Sequence, residues 1–296
     1  MKPNWFKISY GFLIFLMGLL IIQYSVQVYA GGHSWKTGDW LINYSDGLIR
    51  RGLSGSLSLF IAHGLSVNVK WVVFSIQVAI FIALIALILD EFYKFKEQQK
   101  SIFLLLSPAF AFMFWVNDPS VAFRKEVCVY LALVFSLKAF QKNEVHLNWY
   151  WVSIATFTFA GLSHEITIFF LPFFIFAIVS HYSFKKLNFN SIIKFSAPFV
   201  ILSLLVLIIS IFYKGSQQSM DVICASINPY DLSQDICEGA ISWLQYDTTF
   251  GIDSVRSLGP SVWFNYLFLA ALTMLPFILL RFDKYFCVVI CAGALF

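Results

Sequence analysis

Residues 8–29, ISYGFLIFLMGLLIIQYSVQVY, run for 22 residues without an Asp, Glu, Lys or Arg. At a rise of about 1.5 Å per residue such a run spans the hydrocarbon core of a bilayer. Lipid offers no partner for backbone N–H and C=O groups, so the run is expected to be a helix. Further apolar stretches follow at 69–89, 102–116, 121–140, 193–212 and 260–280, and a longer one covers 149–182. That last stretch is too long for one span and carries Ser163-His164-Glu165 near its middle, where it is read as two short spans. The chain is 59% hydrophobic and 12% charged, against about 25% charged in soluble domains. No window alternates as barrel strands do. The fold class is all-α, a polytopic transmembrane helical bundle of about eight or nine spans forming one integral membrane domain over residues 1–296.

Working outward from the first span, MKPNWFK precedes it and Ala30-Gly31-Gly32, a poor cleavage site, follows. The run is therefore read as a span rather than a signal peptide. The apolar piece from Tyr285 to Phe296 is too short to cross a bilayer, so the sequence is read as a fragment or as ending on a re-entrant segment. With Lys2 and Lys7 inside, twelve of the twenty basic residues fall inside and eleven of the sixteen acids outside. That bias follows the positive-inside rule. It also explains the net charge of +4 without a nucleic-acid partner.

The same topology puts residues 30–68 outside as a loop followed by an interfacial helix. Leu53, Leu57, Phe60, Ile61 and Leu65 form its apolar stripe, with Ser54, Ser56, Ser58 and His63 on other faces. Within this segment lies GDWLINYSDGLIRRGLSG, residues 38–55, the densest polar stretch of the chain. Arg50, Arg51, Arg124 and Lys125 break the positive-inside rule, all outside and close to the hydrocarbon boundary.

Asp39, Asp46, Asp118, Glu126, His164 and Glu165 join these four cations on one face, drawn from three separate loops or span ends. Acids, guanidinium groups and a His-Glu pair at a membrane surface suit a ligand with an anionic group at the lipid boundary and a polar part in water. A lipid-linked sugar diphosphate has that shape. Arg50 and Arg51 sit just before a helix N-terminus, where positive charge is unfavourable until an anion arrives, and arginine binds phosphate bidentately. Arg124 and Lys125 read as a second phosphate or sugar contact, with Glu126 as an internal ion-pair partner. The alternative for all four is ordinary snorkelling to headgroups. Asp39 or Asp46 is read as the acid that activates a hydroxyl, since desolvation raises a carboxylate toward the working pH. Against this, Asp46-Gly47 is a turn signal and Lys36 is a candidate partner for Asp39. His164 with Glu165 is the other base candidate, with a structural pairing to Arg124 as its alternative.

Cys224 and Cys237 fall in an outer loop over residues 213–259 and are expected to form a disulfide in an oxidising compartment. No His or Cys spacing matches a zinc or haem site, so no metal and no cofactor are expected. Trp243, Tyr246 and Trp263 read as an aromatic belt.

Asn43-Tyr44-Ser45-Asp46-Gly47 followed by Ile49-Arg50-Arg51-Gly52-Leu53 and Gly55, then Phe123-Arg124-Lys125-Glu126 and Ser163-His164-Glu165, resembles bacterial O-antigen or capsule repeat-unit polymerases of the Wzy type. The acids in the first outer loop beside an interface helix are also similar to GT-C membrane glycosyltransferases. The resemblance covers about residues 1–180. It implies metal-independent transfer of a glycan from undecaprenyl diphosphate to a sugar hydroxyl at the periplasmic face of a bacterial inner membrane, with the N-terminus cytoplasmic. The implied partners are the undecaprenyl-diphosphate-linked glycan, membrane lipid and a chain-length regulator protein. Family polymerases have more spans and a longer late loop. Rival readings are a GT-C transferase using a polyprenyl-phosphate sugar, a transporter or flippase for the same lipid, and a His-based acyltransferase.

Overall fold

The computed structural model describes residues 5–94, 121–141, 144–183 and 189–246, with 250, 253, 256–265, 267, 268 and 271. The expected span at 102–116, Asp118, most of the span at 260–280 and the final apolar piece lie outside these residues. Among the described residues there is helix and no strand. The helices are α1 (Trp5–Tyr29), α2 (Lys36–Leu41), α3 (Leu53–Leu65), α4 (Val69–Lys94), α5 (Glu126–Ala139), α6 (Leu147–Ser163), α7 (Leu171–Ser183), α8 (Phe189–Phe212) and α9 (Gln217–Ile227).

Four segments are long and apolar enough to cross a membrane: Lys7–Tyr29, Val69–Glu91, Glu165–Tyr182 and Phe189–Phe212. The expected spans at 8–29, 69–89 and 193–212 fall among these four, while those at 102–116 and 260–280 lie wholly or mostly outside the described residues. The stretch read as a span over 121–140 is a 3₁₀ turn, Val121–Phe123, followed by α5 of 14 residues, short of the roughly 20 that cross a bilayer. The intervening Arg124 and Lys125 are drawn into a polar cluster instead of continuing a helix. The break inside 149–182 falls at His164, which is extended (φ −160°, ψ 123°). Its ring accepts a hydrogen bond from the Ile166 N–H and so caps the 3₁₀ turn Glu165–Phe170 that leads into α7.

The chain divides into two compact units. The first comprises Met1–Val26, Ile85–Ala122 and Asp247–Phe296, and Leu13, Met17, Leu20, Tyr24 and Leu89 are its buried residues of note. The second, Gln27–Leu84 with Phe123–Tyr246, holds the main core. There Phe157, Phe174 and Phe199 meet with ring centroids 4.8–5.2 Å apart, a spacing that favours edge-on and offset aromatic contact.

Helix α3 buries its small face, Ser54, Gly55, Ser58 and Ala62, and leaves Leu57, Phe60 and Leu65 exposed. Small residues let the α3 backbone approach the segment after α2, where the Gly55 N–H donates to the Ile42 carbonyl at 3.1 Å. A Cβ on Gly55 would overlap that carbonyl. Gly55→Ala is therefore expected to cost 1–3 kcal/mol, the range for overpacking, read as a lower unfolding temperature of the purified chain.

The segment read as a polar loop from 213 contains an unforeseen helix, α9, capped by the Ser216 hydroxyl. Cys224 and Cys237 are bonded to each other. The segment lies along the 31–46 stretch through Ser233 N–H to the Gly31 carbonyl (2.9 Å), Ala240 N–H to the Ser34 carbonyl (3.2 Å) and Asn43 Nδ2 to Ser226 Oγ (3.1 Å). Trp243 packs edge-on against Trp35. Closing a loop of this size stabilises a fold by about 3 kcal/mol. A Cys224→Ser/Cys237→Ser chain is expected to lose that amount, visible as earlier protease cleavage between residues 213 and 246.

Candidate functional site

Three stretches supply the site, all within the second unit. Asp39 lies on α2 and is buried, 2% exposed. Arg50 and Arg51 occupy the turn before α3. Arg51 has φ +69°, a left-handed backbone that a residue with a Cβ rarely adopts. It is held by neighbours on both sides: Lys125 Nζ donates to the Arg51 carbonyl at 3.0 Å, and Gly52 packs so close to the Tyr44 ring that no Cβ fits there. The turn carrying Arg124 and Lys125 is placed by its own backbone, because the Phe123 carbonyl accepts from Trp40 Nε1 (3.1 Å) and Gln77 Nε2 (2.6 Å).

Charges then pair across these stretches. Arg51 grips Glu165 with two parallel hydrogen bonds, Nε to Oε2 at 2.6 Å and Nη2 to Oε1. Arg50 Nη1 lies 3.8 Å from the same carboxylate. The Arg50 N–H donates to the Tyr213 carbonyl and its Nη2 to the Tyr246 carbonyl. Arg124 Nη2 meets Glu126 Oε1 at 2.9 Å, and Lys125 Nζ stands 3.6 Å from Asp39 Oδ1. His164 sits between two acids, Nε2 3.8 Å from Glu126 and Nδ1 3.8 Å from Glu165. Despite these neighbours, neither Asp39 oxygen nor Glu126 Oε2 accepts a hydrogen bond among the described residues, and Arg50 Nε and Arg124 Nε donate none.

Of the expected site residues, Asp39, Arg50, Arg51, Arg124, Lys125, His164 and Glu165 are linked by these contacts, together with Glu126. Asp46 is not among them. It is exposed, in the turn at Gly47, where its carboxylate accepts from Ser219 Oγ at 2.6 Å. Asp39 pairs with Lys125 rather than Lys36, whose ammonium donates to Gln27 Oε1. Glu165 is taken by Arg51, not Arg124. Sequence reasoning missed Gln77, although a side-chain amide inside an apolar span is by itself a signal. The carbonyls of Tyr213 and Tyr246 carry no signal at all.

The Asp39 carboxyl was expected to be raised by desolvation. Burial does push it up, but the charges of Lys125, His164, Arg51 and Arg124 override burial and hold it below its ordinary value of 3.8. Burial, then the charge of Arg51, holds His164 below its ordinary value against the pull of Glu126 and Glu165, so the ring is neutral at pH 7. Burial weakens and Glu165 strengthens the Arg51 guanidinium, with a net rise. The signs follow. Asp39 contributes stability that is complete above its ordinary value and is lost as pH falls through its lower folded value; His164, folded in the neutral form, loses stability as pH falls below about 6.5. Lys125→Met is expected to raise the pH at which the folded chain protonates Asp39, since the largest charge opposing burial is gone, and Lys125→Arg to leave it near its original position. The pH dependence of thermal unfolding of the two variants checks this.

Among the described residues, Asp39, Glu126 and His164 each bring a donor atom within 4.8 Å of the others, a spacing open to a metal ion. The tautomer of His164 argues otherwise. Its Nδ1 accepts the Ile166 N–H, so the neutral ring carries its proton on Nε2 and faces Glu126 as a donor. Metal ligation at Nε2 would require moving that proton to Nδ1 and losing the cap of the following turn. What the arrangement offers is a buried carboxylate with open lone pairs, an imidazole N–H beside it, and guanidinium groups with donors to spare. No family model, curated protein or solved structure matches the chain.

Proposed function

We propose that this chain joins oligosaccharide units carried on undecaprenyl diphosphate at the periplasmic face of a bacterial inner membrane, as an O-antigen or capsule polymerase. In this reading the chain has eight or nine spans with the N-terminus cytoplasmic, and α3 lies in the interface with Leu57, Phe60 and Leu65 toward lipid. The observation that carries it is Asp39: a buried carboxylate, both oxygens unpartnered among the described residues, set among Arg51, Arg124 and Lys125.

Asp39, ionised and weakly basic among these cations, takes the proton of an acceptor sugar hydroxyl late, once the hydroxyl oxygen has begun to bond to the anomeric carbon of the glycan and its proton has become acidic. The bond from that carbon to the diphosphate oxygen breaks, and the diphosphate leaves with the electron pair. Arg50 and Arg124, each with an open Nε–H, receive the growing negative charge. Arg51, locked on Glu165, serves as the post that fixes this arrangement rather than as a mobile clamp. His164 presents Nε2–H and acts as a hydrogen-bond donor, which leaves Asp39 as the base.

The test is a gel of surface polysaccharide from cells lacking the gene and complemented with the intact chain or with Asp39→Asn. A polymerase predicts that the ladder collapses to a single-unit band and returns only with the intact chain. A chain that adds one sugar from a polyprenyl-phosphate donor predicts an altered or absent repeat unit, and an unchanged ladder removes polymerisation.

A further inference from the structure

We infer that Asp39, Glu126 and His164 form a subsite for adjacent hydroxyls of a neutral sugar ring, the acceptor end of the reaction proposed above, whose identity as acceptor rests on that reading. Three buried carboxylate oxygens, Asp39 Oδ1 and Oδ2 and Glu126 Oε2, accept no hydrogen bond from the described residues. Buried lone pairs are normally satisfied. A group with at least two hydrogen-bond donors completes them, beside donor atoms of the three residues that lie within 4.8 Å of one another. His164 adds one requirement of its own, an acceptor for its Nε2–H.

Charge narrows the choice. An anion would face two carboxylates at once. A cation would enter where Lys125 already stands 3.6 Å from Asp39 and Arg124 2.9 Å from Glu126, and would meet the Nε2–H of His164. A hydroxyl satisfies both demands, donating to a carboxylate while accepting from the imidazole. Two neighbouring hydroxyls fit the pair of carboxylates, one on Asp39 and the next on Glu126. Glu126 then reads the configuration of the hydroxyl beside the attacking one, which makes it a specificity-determining residue that the transfer step itself does not use.

The test uses the full chain in detergent with methyl glycosides of glucose, galactose and mannose, which differ in the configuration of single hydroxyls, and reads binding by saturation-transfer NMR. At least one glycoside is expected to bind with a configurational preference. Glu126→Gln is expected to weaken it about tenfold or more, the size of one lost hydrogen bond to a charged group, with the size-exclusion profile unchanged. Should Glu126→Gln fail to fold, Glu126→Asp, which keeps the charge opposite Arg124, carries the same expected loss. Absence of binding by every glycoside overturns the subsite, as does equal binding by all three in both intact and variant chains. Tight Mn²⁺ binding by the intact chain, lost in Asp39→Asn and Glu126→Gln, overturns it in favour of a cation site. Glycoside binding in a chain whose loss leaves the polysaccharide ladder unchanged keeps the subsite and removes the polymerase reading.

Discussion

Asparagine in place of Asp39 is expected to lower polymer formation by a factor of about 10² to 10⁴, the usual worth of a general base, while the chain still reaches the membrane in normal amount. The side chain keeps its shape and so the packing of α2, although Lys125, buried beside it, is left without its counter-charge. What disappears is the negative charge that Lys125 Nζ faces at 3.6 Å and the lone pairs that accept the proton. The loss should fall on the rate more than on apparent affinity for the lipid carrier, because Arg50 and Arg124 remain. Activity retained within threefold of the intact chain, measured as repeat units joined per chain in isolated membranes, would remove Asp39 from the chemistry.

Arg51→Ala is expected to cost about 3 kcal/mol of stability. Removing one partner of a buried ion pair costs about 3–5 kcal/mol because the other charge is left uncompensated. The lower end applies, since a fifth of each side chain is exposed and Arg50 stands 3.8 Å away as a partial substitute. The cost therefore belongs mostly to Glu165 left behind. Arg51→Ala/Glu165→Ala is expected to be more stable than Arg51→Ala alone, the signature of a coupled pair in a double-mutant cycle. Arg51→Gly should also be more stable than Arg51→Ala, by about 1 kcal/mol, because glycine adopts the left-handed backbone without a Cβ penalty. Denaturant melts of the four chains decide this, and equal stabilities of Arg51→Ala and the double variant would mean the ion pair holds nothing.

This ordering changes how a polysaccharide phenotype of Arg51→Ala is to be read. Loss of the ladder in that variant reports the fold as much as the chemistry. Asp39→Asn, read against the amount of chain in the membrane, separates the two, and Arg124→Ala probes phosphate contact at a side chain whose ion pair, with Glu126, is 30% exposed on the arginine side.

Much of the helical layout was legible in advance. The long apolar runs at 8–29, 69–89 and 193–212 correspond to α1, α4 and α8, because an uninterrupted apolar run has few other ways to bond its backbone. The break at His164 and the Cys224–Cys237 bond were legible too, the first from a polar triplet inside an apolar run, the second from two cysteines in one short polar segment. Helix α9 escaped notice because its segment was read for its polarity, although Met220, Ile223, Cys224 and Ile227 recur at helical spacing, and its start depends on the Ser216 cap. The helix expected over 121–140 is shorter than its apolar run, which continues through residues whose backbone leaves the helix.

The sequence by itself determined which residues have the chemistry of a site: four cations and several acids at the ends of apolar helices, where burial without partners is costly. Only the tertiary structure decided who pairs with whom. Arg51 reaches Glu165 across 114 residues of chain and Lys125 reaches the Arg51 carbonyl across 74, while Asp46, seven residues from Asp39, turns to Ser219. Local propensity is blind to such choices because any acid satisfies any nearby cation. The selection is made by packing, in the close approach of α3 at Gly55 and the anchoring of the Phe123 carbonyl by Trp40 and Gln77, which together fix the few ångströms that leave the Asp39 carboxylate without a hydrogen bond among the described residues.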